Sequence, residues 1–327
     1  MYVVALLNPR SVWSQQRYVY RLGVSTETLI MGGNSTMFKG SIVAIVTPFA
    51  KDGAVDLAKL QDLVEFQIEN GTDGIVPCGT TGEASTLTYD EHLAVIKTVV
   101  DRVAGRVPVI AGTGSNSTAE AIEMTRRAKD VGADGALLVT PYYNKPSQEG
   151  LYRHYMEVAD AVALPLILYN VPGRTGVNLL PETVARLALH ANIVAIKEAT
   201  GSLQQGSEVI ALCGDQIDVL SGDDFVTFPL MACGAKGVIS VLANIMPRIV
   251  AGLVDAFFAG DFETARRLHL QTLKISSVMF IESNPVPVKA ALELMGKAPA
   301  DVRLPLCPLG EANKARLTGI MKEYNLI

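Results

Sequence analysis

A chain of 327 residues with 49% hydrophobic and 19% charged side chains can bury one large core, and a single α/β barrel of roughly 200 to 250 residues plus an appendage accounts for that length. The net charge of −5 supplies no broad basic footprint, which argues against nucleic acid as a partner. Cys78, Cys213, Cys233 and Cys307 are scattered and form no C-x-x-C pair, suggesting neither a metal site nor a disulfide framework, and no apolar run reaches the ~18 to 20 residues of a membrane span.

Small molecules and further copies of the chain are therefore the expected partners, in a reducing cytoplasm. Residues 1–36 read differently from the rest. Arg10, Arg17 and Arg21 face a single acid, Glu27, and the clear apolar stretch is confined to residues 3–7. A secretory signal places its basic residues before the apolar run, and here they follow it. One reading is an Arg-rich organellar transit peptide; the simpler one is an upstream extension of the reading frame ahead of Met37, expected to be poorly ordered.

From Ser41 onward, short β-rich runs alternate with longer segments of helical period, the pattern of a parallel sheet with crossover helices. Strands are predicted over 42–47, 74–78, 107–111, 135–140, 166–169, 193–197, 218–221 and 237–241, most of them apolar throughout, as strands covered on both faces should be. Helices are predicted over 57–69, 90–103, 118–131 and 148–163, with Asp90 and Ser117 as N-caps. Asn70-Gly71 and Val131-Gly132 open a repeated turn in which a glycine ends a helix and feeds the next strand. After the first strand the chain reads Thr47-Pro48-Phe49, not a glycine-rich dinucleotide loop. The pattern therefore points to a closed (β/α)8 barrel and away from an open doubly wound sheet. Beyond Pro247 the period is helical, over 249–258, 262–281, 287–294 and 311–324. The expected division is a barrel over 37–260 and a small helical C-terminal extension over 261–327.

Reactive residues of such a barrel lie at the C-terminal ends of its strands. Strand two runs into Gly79-Thr80-Thr81-Gly82-Glu83, where glycines allow tight turning and the threonine hydroxyls and N–H groups can converge on a carboxylate. The same residues also suit a plain turn that caps its own backbone. Strand four ends in Thr140-Pro141-Tyr142-Tyr143-Asn144-Lys145-Pro146, whose paired aromatics suit a pocket wall or a subunit contact. Strand five ends in Tyr169-Asn170-Val171-Pro172-Gly173-Arg174-Thr175. Its phenol can relay protons and its guanidinium can grip a carboxylate by two parallel bonds, unless they are simply a half-buried aromatic and a surface charge.

Strand six ends in Val194-Ala195-Ile196-Lys197-Glu198, a lysine closing an apolar run. Burial strips hydration from an ammonium and favours the neutral amine, which can attack a ketone to form a Schiff base. The protonated imine then stabilises the enamine of a 2-oxo acid, so that the methyl carbon of pyruvate becomes a nucleophile toward an aldehyde. Pairing with Glu198, or snorkelling to the rim, is the alternative.

Together, the Gly-Thr-Thr-Gly-Glu turn, the Pro-Tyr-Tyr-Asn-Lys-Pro loop, Tyr-Asn-Val-Pro-Gly-Arg-Thr and the Lys197 strand resemble the dihydrodipicolinate synthase family, from Met37 to the C-terminus. The resemblance implies that Lys197 forms the Schiff base, with Tyr169 and Thr80 in a proton relay completed by Tyr143 from the adjacent subunit. It also implies that Thr81 helps bind the pyruvate carboxylate, that Gly222 and Ile239 contribute backbone around the site, and that Arg174 receives the carboxylate of L-aspartate 4-semialdehyde. The family uses no metal and no organic cofactor, commonly forms homotetramers built from tight dimers, and serves diaminopimelate and lysine biosynthesis. In sensitive members L-lysine binds at the tight dimer interface. Asn116, Glu120, His92 and Tyr142 stand at matching positions, whereas Ala84 and Ser85 reverse the common order and Tyr89 replaces a histidine, so weak or partial inhibition is expected.

Lyases for N-acetylneuraminate or 2-keto-3-deoxy sugar acids are similar in the glycine-threonine turn, the tyrosine and the lysine, and Arg174 discriminates against them. A non-catalytic protein that keeps the pyruvate pocket is the reading from a different class, and imine trapping separates it from the enzymes.

Overall fold

A computed structural model describes residues 38–327, so the predicted extension over 1–36 lies outside the described residues. Each of the eight predicted strands forms: β1 Gly40–Ala44, β2 Gly74–Val76, β3 Ile110–Gly112, β4 Gly135–Val139, β5 Leu166–Asn170, β6 Ile193–Glu198, β7 Asp218–Ser221 and β8 Gly237–Ser240. They run parallel in the order β2-β1-β8-β7-β6-β5-β4-β3. The two ends of that order meet through a parallel bridge between Ile75 and Val109 and a 3.0 Å bond from Ile75 N to Pro108 O. This closure makes the sheet a barrel. β3 begins three residues later than the sequence suggested, because Pro108 has no N–H with which to extend the ladder. At its other end Gly112 approaches the segment just past β2 so closely that a Cβ there would lie 2.1 Å from Cys78 O.

Between the strands run α1 Leu57–Glu69, α2 Tyr89–Val103, α3 Thr118–Asp130, α4 Gln148–Ala161, the short α5 Pro172–Thr175 and α6 Pro181–Leu187 after β5, α7 Leu203–Cys213 and α8 Thr227–Cys233. α9 Pro247–Phe258 follows β8, and α10 Phe262–Val278, α11 Val286–Leu294 and α12 Glu311–Glu323 complete the chain. Ser117 caps α3 as expected, but Asp90 does not cap α2. Thr88 does: its hydroxyl accepts from Glu91 N at 3.2 Å while the Glu91 carboxylate accepts from Thr88 N at 2.9 Å, a reciprocal capping box that leaves Asp90 inside the first turn.

Strand pleating divides the core in two. Ile42, Val76, Ile110, Leu137, Ile167, Ala195, Leu220 and Ile239 fill the barrel interior, with Phe38 among them, whereas residues such as Ile75, Leu138, Leu168 and Ile196 point outward against the helices. Each fully buried Ile or Leu contributes about 1.5–3 kcal/mol. Ile275, Val288, Leu292 and Leu317 from the C-terminal helices join the outer cluster, so these helices share the barrel's core. Among the described residues, no helix is long and apolar enough to cross a membrane.

Candidate active site

The interior alternation that places Ile167 and Ala195 in the barrel also aims Tyr169 and Lys197, two residues further along, at its C-terminal mouth. The two are paired in register across β5 and β6, and Lys197 Nζ lies 4.3 Å from the centroid of the Tyr169 ring. Lys197 is only 5% exposed. Gly222, just past β7, makes room for it: a Cβ there would meet Lys197 Cε and Cγ at 3.0 Å and Ala199 Cβ at 2.6 Å. Ile239 stands in the same interior cluster as Tyr169.

A cavity of about 460 Å³ opens beside these residues, lined by Thr80, Tyr169, Val171 and Arg174 at the barrel mouth. Tyr169 connects the two regions, bordering the cavity with Lys197 above its ring. The turn carrying Thr80 closes on itself through Gly82 N and Glu83 N, which bond Gly79 O and Thr80 O at 3.1 Å each. Thr81 is buried behind the cavity wall, and its hydroxyl accepts from Asn284 Nδ2 at 2.9 Å. Arg174, exposed on α5, gives one N–H to Asn284 O at 3.2 Å and has further donors to offer a ligand.

Ala84, Tyr89, His92, Glu120 and Tyr142 line the far side of the same cavity. Asn116 adjoins them by donating to Tyr142 O at 3.2 Å. Glu120 accepts from Ser115 Oγ at 2.8 Å and stands beside the Tyr89 phenol. Local desolvation and then the Glu120 carboxylate hold that phenol above its ordinary pKa. His92 is committed to Gly112 O at 2.7 Å, and burial lowers its pKa against the pull of that carbonyl. Tyr143 is the one predicted relay residue that the single chain does not bring to the cavity. It is 89% exposed, with φ at +73°.

Sequence reasoning missed the layer behind the turn. Glu83 is buried and pairs with the buried Lys289 at 2.7 Å, while Asn284 and Arg303 come from the same C-terminal segment. The available signal was Lys289 itself, an isolated lysine in the apolar run Val286-Pro287-Val288-Lys289-Ala290-Ala291.

Comparison with known proteins gives the same picture. The 4-hydroxy-tetrahydrodipicolinate synthase of Geobacter sulfurreducens is 79% identical over 291 residues, which are 89% of this chain and 100% of that protein. The crystal structure of the chloride-inhibited dihydrodipicolinate synthase from Acinetobacter baumannii, complexed with pyruvate, superposes with a TM-score of 0.87 at 52% identity, covering 88% of this chain and 99% of that one. The Cyanidioschyzon merolae enzyme with lysine bound gives 0.87 at 40% identity, over 90% and 100% of the two chains. The sequence profile of the dihydrodipicolinate synthetase family matches residues 37–324, and with relatives this similar over most of its length the chain belongs to this family.

Proposed function

We propose that the protein is a Schiff-base lyase that condenses pyruvate with L-aspartate 4-semialdehyde, the reaction of a 4-hydroxy-tetrahydrodipicolinate synthase. The observation that carries the reading is Lys197, nearly buried at the end of β6 with its amine over Tyr169 beside a cavity that also holds Thr80 and Arg174. The amine adds to C2 of pyruvate, and loss of water gives a protonated imine. Loss of a proton from C3 then forms the enamine, whose C3 attacks the aldehyde carbon. Tyr169 and Thr80 exchange the protons these steps require, with Tyr143 of a second subunit as third member. Thr81 contributes to holding the pyruvate carboxylate, with Gly222 and Ile239 supplying backbone around it. Arg174 takes the carboxylate of the semialdehyde. Attack of that substrate's own amine on the imine carbon closes the ring and returns Lys197 free. No step asks for a metal or an organic cofactor. The reading also implies a cytoplasmic enzyme, which the four free cysteines suit, assembled as a homotetramer from tight dimers.

Borohydride added with pyruvate is expected to leave a covalent mass on Lys197, and none on the Lys197→Ala variant. Labelling of a different lysine overturns the assignment. Turnover of aspartate semialdehyde, measured beside sugar-acid aldehydes, separates this activity from that of the related lyases; preference for a sugar acid would reject the substrate.

L-lysine fits the far side of the cavity as an effector, its ammonium on Glu120 and its carboxylate end toward Asn116 and Tyr142. Glu120 already accepts a hydrogen bond from Ser115 Oγ, so an effector must compete with it to bind. Weak or partial inhibition is expected when lysine is titrated against the initial rate, and strong inhibition at low lysine contradicts it.

A further inference from the structure

We propose that Lys289, on the C-terminal helix α11, is a positioning residue for the pyruvate-binding turn, acting through its buried ion pair with Glu83; this rests on the Schiff-base reading of Lys197. The turn is bounded by two non-glycine residues in left-handed backbone, Cys78 at φ +55° and Glu83 at φ +53°. Such conformations persist only where the surroundings enforce them. Three consecutive residues of the turn are each held from outside it. Asn284 Nδ2 bonds the Thr81 hydroxyl at 2.9 Å, the Thr47 hydroxyl donates to Gly82 O at 2.7 Å, and Glu83 accepts from Lys289 Nζ at 2.7 Å and from Arg303 N at 3.2 Å. Lys289 further ties the turn to the segment after the first strand, because its second hydrogen bond goes to Thr47 O at 3.0 Å. Its ammonium also lies 4.2 Å from the centroid of the Phe49 ring. Of the turn's two threonines, Thr80 is left to line the cavity.

Stability alone does not explain a lysine 1% exposed against a carboxylate 3% exposed. Desolvating two charges costs about what their attraction returns, and a well-packed apolar pair of similar volume is often at least as stable. The pair supplies a fixed geometry instead. It holds Glu83 in its left-handed conformation, and with it the direction in which Thr80 and Thr81 face. Catalytic groups displaced by a fraction of an ångström lose rate while the fold persists.

The test compares full-length wild type with Lys289→Met/Glu83→Gln, which removes both charges and leaves no unpaired ion in the core. Borohydride trapping of pyruvate by wild type is the control, and its absence is a failure of the Schiff-base reading, distinct from a failure of this inference. Given trapping in wild type, the folded double variant is expected to form the adduct about tenfold more slowly at limiting pyruvate. Its KM for the aldehyde stays unchanged, a split that general loosening of the fold would not produce. Wild-type trapping in the folded double variant overturns the proposal, as does an equal loss toward both substrates. Should the double variant not fold, Glu83→Gln takes its place, since it keeps the shape of the side chain and an acceptor for Lys289 Nζ while removing the ion pair. Slowed trapping with an unchanged KM for the aldehyde then supports the proposal, and wild-type trapping rejects it.

Discussion

Lys197 and Glu198 are neighbours on β6 with opposite surroundings. The pleat turns Lys197 inward over Tyr169, while the Glu198 carboxylate accepts from Thr200 N at 2.8 Å, Asn170 Nδ2 at 3.2 Å and Gln205 Nε2 at 3.5 Å. Burial raises the pKa of Glu198 against those bonds. The ion pair that competed with a Schiff base for Lys197 is therefore not formed; amides and a backbone N–H hold the carboxylate instead. Arg174 is the residue on which the second substrate is expected to depend. Its bond to Asn284 O fixes the guanidinium beside the cavity with donors left over. A charge-assisted bond lost on truncation costs about 1.5–3 kcal/mol, roughly a 10- to 150-fold change. Arg174→Ala is thus expected to raise the KM for the semialdehyde by that range and to leave the KM for pyruvate close to wild type; steady-state kinetics with each substrate varied in turn checks it, and an equal rise for both removes Arg174 from the aldehyde subsite. The placement of Lys197, Tyr169 and Arg174 at the barrel mouth was legible in the sequence, because the first two stand at the ends of strands and the third on the segment that follows β5. Glu83 stands in a motif that was read, yet its role was not legible, since its partner Lys289 lies 206 residues away and only the fold brings them together.

At the scale of elements, the periodicity located every strand but misjudged ends, because ends are decided by particular hydrogen bonds. Pro108 delays β3, and Thr88 displaces Asp90 as the cap of α2. Both residues suit a cap, and the deciding feature is Glu91 three positions after Thr88, which completes the reciprocal box. Glu91 also anchors the C-terminal segment, since Arg303 grips its carboxylate at 2.8 and 2.5 Å. Those bonds hold the Glu91 carboxyl at about 2, against an ordinary 4.5, outweighing the opposing effect of desolvation. A folded pKa below the unfolded one means stability that is complete above the unfolded value and is lost as pH falls toward the folded one. Glu91→Gln keeps the capping bond and removes the charge. Its deficit in Tm relative to wild type is therefore expected to be constant above about pH 5.5 and to shrink steadily from about pH 4.5 downward. Melting curves across this range decide the point, and a deficit that persists undiminished at acid pH shows that the charge is not what Arg303 uses.

At the scale of the whole molecule, one chain does not bring together the three hydroxyls of the proposed relay. Tyr143 stands 89% exposed on a left-handed backbone that costs a non-glycine residue about 1–3 kcal/mol. The loop is held in that form by Asn116, which donates to Tyr142 O at 3.2 Å and accepts from Asn144 Nδ2 at 2.8 Å. A large aromatic ring kept strained and in water has a physical rationale if it enters the cavity of a second copy. The sequence suggested a subunit contact from the paired tyrosines, but which site each ring completes is a property of the assembly. Mixing two inactive variants separates the possibilities. In a hybrid dimer of Lys197→Ala with Tyr143→Phe, the subunit that retains Lys197 receives an intact Tyr143 only if the residue crosses the interface. Its partner's site lacks the lysine and stays inactive in either case. Random reassociation of equal amounts makes half the dimers hybrids, each with one working site, so activity is expected to return to about a quarter of the wild-type value. If Tyr143 serves its own subunit, each hybrid carries one site without the lysine and one without the phenol, and remixing restores nothing. Because neither variant alone can supply the recovered rate, the outcome depends on where the hydroxyl acts and not on how much each substitution costs.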